Sequence, residues 1–140
     1  MKVLVDTPIW SLALRRKKPA ENAPAWSELA ALVEDRRVAM IGPVRQEILS
    51  GIKDPSQFER IREHLRAFQD LALTAEDYEE AASFYNRCRQ KGIQGSNTDF
   101  LICAIAVRFE YSIFTTDKDF AHFAKVLPIA LHSARESPAS

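Results

Sequence analysis

Between positions 100 and 109 the chain reads FLICAIAVRF, a stretch that is apolar on nearly every side when wound into a helix. A helix without a polar stripe offers no face to water, so other elements must cover it all round. It belongs at the centre of the fold. Asp99 stands at its head, positions 111–115 (YSIFT) have the make-up of a strand, and Asp117 follows. A short helix-to-strand connection brings the strand back along the helix. The strand's C-terminal end then lies at the same end of the layer as the helix's N-terminus, and Asp99 and Asp117 can meet.

Upstream, Val3, Leu4 and Val5 form a short apolar strand of the kind found inside a parallel sheet with both faces covered. Asp6 ends it. Asp6 or Thr7 can cap a helix with Pro8 in its first turn, and Ile9, Trp10, Leu12, Ala13 and Leu14 supply its apolar content. That helix stops at the basic run Arg15, Arg16, Lys17, Lys18 before Pro19. Further helices are expected over 22–35, from Gly42-Pro43 to 49 with Gly51 as the stop, and from Asp54-Pro55 to about 68. A second strand is expected over 38–41 and a weak third over 71–73. Thr74 then caps a long helix to about 91, in a near capping box with Asp77 and with Gly92 as the stop. A short helix over 119–125 and an edge strand over 129–132 complete the pattern.

Strands alternating with helices predict an α/β sandwich around a mainly parallel sheet of four to five strands. One domain over 1–132 is expected, with a flexible tail over 133–140. The 140 residues, 46% of them hydrophobic, suffice for a sizeable core. Nineteen basic and nineteen acidic residues cancel, so net charge argues neither for nor against a nucleic-acid partner. The opening MKVLVD is too short for a signal peptide and no run approaches a membrane span, so a cytoplasmic protein is expected. Cys88 and Cys103 stand alone on predicted helices without ligand spacing and read as reduced structural thiols.

In such folds ligands bind beyond the C-terminal ends of the strands. Asp6 directly follows the first strand, Glu47 lies one turn into the helix after the second, Asp99 heads the central helix, and Asp117 follows the last regular strand. Four carboxylates at one rim repel one another, and burying an unpaired charge costs several kcal/mol. No lysine or arginine holds an equivalent strand-end position. A divalent cation is the natural counter-charge, and all-oxygen ligation suits Mg²⁺ or Mn²⁺ better than zinc. Such an ion can lower the pKa of a bound water and neutralise charge on a phosphodiester under attack, with no histidine base. His64, His122 and His132 show no motif spacing. Each acid also has a plainer reading: Asp6 and Asp117 as helix caps, Asp99 as a partner of the helix dipole, Glu47 as a solvated residue.

Other enzyme classes lack their motifs. A haloacid-dehalogenase-type phosphatase needs a second acid where Pro8 stands. A receiver domain needs paired acids and a strand-end lysine, and a dinucleotide fold needs a glycine-rich first turn.

The segments VLVDTPIWSL, QEILSG, TDFLICAIA and FTTDKDF resemble the four acidic motifs of PIN-domain ribonucleases, in particular VapC toxins of type II toxin-antitoxin pairs. The resemblance spans residue 2 to about 131. It implies Mg²⁺- or Mn²⁺-dependent endonuclease action on RNA, inhibition by a small groove-filling antitoxin, and a homodimer. It assigns metal ligation to Asp6, Glu47, Asp99 and Asp117, hydrogen-bonding support to Thr116, and an occasional extra ligand to Asp119. Thr7 stands beside Asp6 as a further supporting residue. A processing nuclease without a toxin role and a silent RNA- or protein-binding module remain alternatives.

Two basic clusters sit near the rim: Arg15, Arg16, Lys17 and Lys18 after the first helix, and Arg87, Arg89 and Lys91 at the end of the long one. Either could contact RNA phosphates with salt-dependent, sequence-blind affinity, or be a solvated face. Trp26, Phe84, Tyr85, Phe109 and Phe114 read as core, and Trp10 as core or groove lining.

Overall fold

The computed structural model describes residues 1–15 and 23–135. β1 (Val3–Val5) is wholly buried and has a parallel neighbour on each side, β2 (Val38–Ala39) and β3 (Ser112–Phe114). Val3 pairs with Val38 and Ser112, and Val5 with Phe114. Because chain order departs in both directions from β1, its C-terminal end is the topological switch point, where a crevice opens between the diverging connections.

The regular sheet among the described residues has three strands, not four to five. The third strand expected over 71–73 does not form. Met40 and Asp70 meet in a single parallel bridge, and the Leu71 N–H donates to Met40 O at 2.8 Å. This segment is anchored by a side chain instead of a ladder: the Arg45 guanidinium donates to Leu65 O at 2.9 Å, to Phe68 O, and to the Asp70 carboxylate at 2.8 Å. On the opposite edge, Ile113 and Leu131 form one more parallel bridge.

Helices cover the sheet: α1 (Thr7–Arg15), α2 (Ala23–Glu34), α3 (Gly42–Leu49), α4 (Pro55–Leu65), α5 (Ala75–Gln90), α6 (Asn97–Phe109) and α7 (Asp119–Phe123). α6 is the helix required to be surrounded, and it is: each residue from Phe100 to Ala106 is buried. α5 packs along it and buries Ala81, Phe84 and Cys88, spaced three and then four positions apart on one helical face. Both ends of the pair are tied. The Asp77 carboxylate closes a capping box on Thr74 at the start of α5 and meets Arg108 Nε at 2.8 Å at the end of α6. At the other end Gly95 lies so close to Phe123 and Phe100 that a Cβ there would stand 2.5 Å and 3.0 Å from their rings.

Of the aromatics expected in the core, Phe84 and Phe114 are buried and Tyr85 and Phe109 pack against it, whereas Trp26 is only partly buried, outside that cluster, and lines an apolar cavity. Trp10 is 2% exposed and meets Phe68 edge-to-face. Both cysteines are buried and unpaired, and burial pushes the Cys103 thiol far above its ordinary range. Residues 133–135 run back to α2, where buried Glu28 receives His132 Nε2 and Arg135 Nε, each at 2.7 Å. Residues 136–140 lie outside the described residues. Among the described residues no helix is long and apolar enough to cross a membrane.

Candidate active site

A cavity of about 610 Å³ opens at the switch point, and Asp6, Glu47, Asp99 and Asp117 all line it. The four come from separate places in the chain, each put there by a local rule. Asp6 is the first residue beyond β1, its N–H donating to Phe114 O at 2.9 Å as a continuation of the ladder. Glu47 projects from α3, whose start is set by Pro43 in the first turn. Asp99 is the third residue of α6 and closes a capping box with Ser96, receiving the Ser96 N–H at 3.0 Å. Asp117 receives the Asp119 N–H at 2.9 Å in the turn that leads into α7. The plainer reading of Asp99 as a helix-start residue and the site reading therefore hold together: one carboxylate oxygen caps, and the residue still lines the cavity.

Two threonines join these acids. The Thr7 hydroxyl donates to Glu47 Oε1 at 2.8 Å, linking α1 to α3. The Thr115 hydroxyl donates to Asp6 Oδ2 at 2.8 Å and accepts the Asp117 N–H at 2.9 Å. The support expected from Thr116 is thus made by Thr115, while Thr116 is exposed. Register is the reason. Val5 is paired with Phe114, so Asp6 and Thr115 are neighbours across the sheet and project to one side, and the next residue turns outward.

Among the described residues the cavity has no lysine or arginine in its lining; Thr7, Pro8, Pro43, Gln46, Ser50 and Thr98 complete it. Asp6 is 3% exposed, and burial raises its carboxyl to about 6 against the hydrogen bonds from Thr115 and Thr7, with the negative charges of Asp99 and Asp117 adding to the rise. Burial likewise raises Asp99, opposed by its bonds to Ser96 and aided by Asp117 and Glu47. These acids feel one another through space, as one cluster of like charge. Among the described residues, no three His, Cys, Asp or Glu side chains converge tightly enough to hold a metal ion by themselves. The donor set fits a hard cation that keeps part of its water shell, as Mg²⁺ does.

Asp119 does not line this cavity; its backbone N–H is what touches Asp117, and the residue lines a second cleft. Among the basic residues, Arg16, Lys17 and Lys18 lie outside the described residues, as does the side chain of Arg15. Arg87 rests over the Phe84 ring, Arg89 donates to the Tyr85 hydroxyl at 3.3 Å, and Lys91 ends α5; none lines the acidic cavity. Gln46 and Ser50 were missed in the sequence; Ser50 lies three positions after Glu47 and four after Gln46, a helical spacing that could have marked it.

A second cavity, apolar and about 400 Å³, lies between α1, α2 and α4, with Trp10, Leu14, Trp26, Leu29 and Phe68 among its walls. The Trp10 indole N–H is buried there without an acceptor among the described residues.

A family model described as PIN domain matches residues 3–126. Ribonuclease VapC11 of Mycobacterium tuberculosis is 30% identical over 137 residues, covering 95% of this chain and 99% of its own length. VapBC2 from Rickettsia felis, in a crystal structure bound to a DNA fragment from their promoter, superposes with a TM-score of 0.74 at 18% identity, over 94% of this chain and 98% of that one. A toxin-antitoxin complex from Klebsiella pneumoniae gives a TM-score of 0.61 at 21% identity, over 86% and 91%.

Proposed function

Since the chain belongs to the PIN domain family, we propose that it is a divalent-metal-dependent endoribonuclease and the toxin of a toxin-antitoxin pair. The observation that carries this reading is that one cavity is lined by Asp6, Glu47, Asp99 and Asp117, with no cationic side chain among its walls in the described residues. A polyanionic RNA strand approaches four acids only if their charge is compensated, and Mg²⁺ or Mn²⁺ does so with oxygen ligands.

Asp6, Glu47, Asp99 and Asp117 would together hold the ion, which would keep part of its own water shell. When bound it supplies a water of lowered pKa and positive charge against the phosphate. The residues of the chain set the geometry. Thr115 fixes the Asp6 carboxylate and the Asp117 backbone with one hydroxyl, and Thr7 holds Glu47 toward the same space. The Asp6 carboxyl sheds its proton near pH 6 in the metal-free protein, so proton and cation compete for one oxygen.

The antitoxin proposal rests on the neighbouring two-protein assemblies and on the apolar cavity by Trp10, a surface a partner segment would cover. A homodimer is part of the same reading.

Incubating a mixed RNA pool with the intact protein and with Asp99→Asn, in Mg²⁺ and in EDTA, tests the nuclease. Cleavage is expected only for the intact protein with Mg²⁺. Cleavage that survives both EDTA and the substitution would sink the assignment.

A further inference from the structure

Beside the acidic cavity lies a cleft of about 400 Å³ between the loop that follows α5 and the short helix α7, walled by Gly92, Ile93, Gln94, Asp119 and His122. Its two walls are continuous with the two acids of the central motif. On one side the loop passes from Gln94 through Gly95, pressed against Phe123 and Phe100, directly into the Ser96 cap that holds Asp99. On the other, Asp119 donates its backbone N–H to Asp117 at 2.9 Å, and His122 follows one turn along α7. A strand whose phosphate sits at Asp99 and Asp117 therefore has this cleft as its immediate neighbour.

The lining chemistry separates a phosphate from a base. The Asp119 carboxylate repels phosphate, and among the described residues the walls contain no arginine or lysine. What they offer is an acceptor-only carboxylate, the Gln94 amide with both donor and acceptor, and the flat His122 imidazole, the last two exposed to solvent. Unpaired RNA bases are recognised by such groups: stacking on a ring, including histidine, with hydrogen bonds to the base edge.

Resting on the ribonuclease reading, we propose that this cleft is a nucleobase subsite that reads the base adjoining the scissile phosphate. His122 supplies the stacking face, and Gln94 and Asp119 read the edge. A carboxylate beside an amide favours a base with an exocyclic amino donor on its edge, guanine or cytosine or adenine over uracil.

Two measurements test this. In the Asp99→Asn protein, the His122 ring resonances are followed by NMR on titration with AMP, GMP, CMP and UMP separately. Saturable movement with at least one amino-bearing nucleotide, abolished in Asp99→Asn/Gln94→Ala, is expected; no movement with any of the four overturns the proposal. Separately, the intact protein, Gln94→Ala and His122→Ala cut a randomised RNA, and the new ends are sequenced. Base enrichment at one position next to the cut is expected to fall roughly five-fold or more in both variants, the lower end of what one well-made base contact discriminates. Their Mg²⁺-induced shift in melting temperature stays unchanged. Identical end sequences in all three proteins overturn the subsite and leave the nuclease standing. A protein that binds nucleotides at His122 but cuts no RNA retires the nuclease and keeps the cleft.

Discussion

The Thr115 hydroxyl donates to Asp6 Oδ2 at 2.8 Å and takes the Asp117 N–H at 2.9 Å, so one side chain spans the ends of β1 and β3. Each of its partners belongs to the acidic cavity. Where a hydroxyl satisfies both a buried carboxylate and a backbone donor, no water is needed to do either.

Thr115→Val keeps the shape and removes both bonds. The Asp6 carboxylate then loses a bond that opposes its burial, and its carboxyl rises further above about 6. Leaving such groups unsatisfied costs roughly 1–3 kcal/mol each. Urea unfolding should show a loss of this size, and the Mg²⁺ concentration for half-maximal thermal stabilisation should rise. Thr115→Ser should restore both, and Thr116→Val should leave both unchanged.

The pH dependence of the metal-free protein follows from Asp6. Its carboxyl is raised from 3.8 to about 6, so the folded chain binds that proton more tightly than the unfolded one. The stabilisation is complete below pH 3.8 and is lost as pH climbs through about 6, an effect on the order of 2–3 kcal/mol. Asp6→Asn cannot titrate, so its stability relative to the intact protein should increase between pH 4 and 6.5 and level off above. Melting curves in EDTA across this range check the sign; a flat difference refutes it. With Mg²⁺ present, the ion-induced shift should grow across the same interval.

The placement of Asp6, Asp99 and Asp117 was readable because each sits at a strand end or helix start that local patterns mark, and one rule of α/β folds gathers such ends; Glu47 follows from its position one turn into α3, the helix after β2. The partner of Asp6 was not readable to the residue. Choosing Thr115 over Thr116 requires the pairing of Val5 with Phe114, a long-range register that no local pattern carries. The segment over 71–73 has the apolar content of a strand, yet the clamp from Arg45 to Leu65, Phe68 and Asp70 holds the chain there, and a sequence gives no distance between those residues. Glu28 with His132 and Arg135 was missed for the same reason.

Glu28 joins α2 to the end of the described chain. Burial pushes its carboxyl up, but the bonds from His132 and Arg135 outweigh it and hold the group below 4.5. Its stabilising contribution is therefore present above pH 4.5 and lost as pH falls below it. Glu28→Gln removes the charge while His132 and Arg135, more exposed at 15% and 55%, turn to water, so a loss of about 1–3 kcal/mol is expected at pH 7. Urea unfolding at pH 7 and pH 4 should show the gap between the two proteins narrowing at the lower pH. An equal gap at both would mean that packing, and not the charge, is what Glu28 contributes.

Gly95→Ala tests whether the central helix is positioned by the loop before it. The added Cβ would stand 2.5 Å from Phe123 Cζ and 3.0 Å from Phe100, well inside contact, and Phe100 and Phe123 are buried against one another with ring centres 4.9 Å apart. Neither ring has space to retreat, so the backbone must move, at a cost of about 1–3 kcal/mol. The loop carries Ser96, whose bonds to Asp99 set where that carboxylate enters the cavity. Two effects should appear together: a lower melting temperature and a weaker Mg²⁺-induced shift. Gly51→Ala provides the contrast, because it strains a positive φ of 86° with nothing within 4 Å of the new Cβ, and Gly51 lies outside the acidic cavity. It should lower stability by about 1 kcal/mol and leave the Mg²⁺ response intact. If Gly95→Ala behaves the same way as Gly51→Ala, the packing of Phe100 and Phe123 does not govern Asp99.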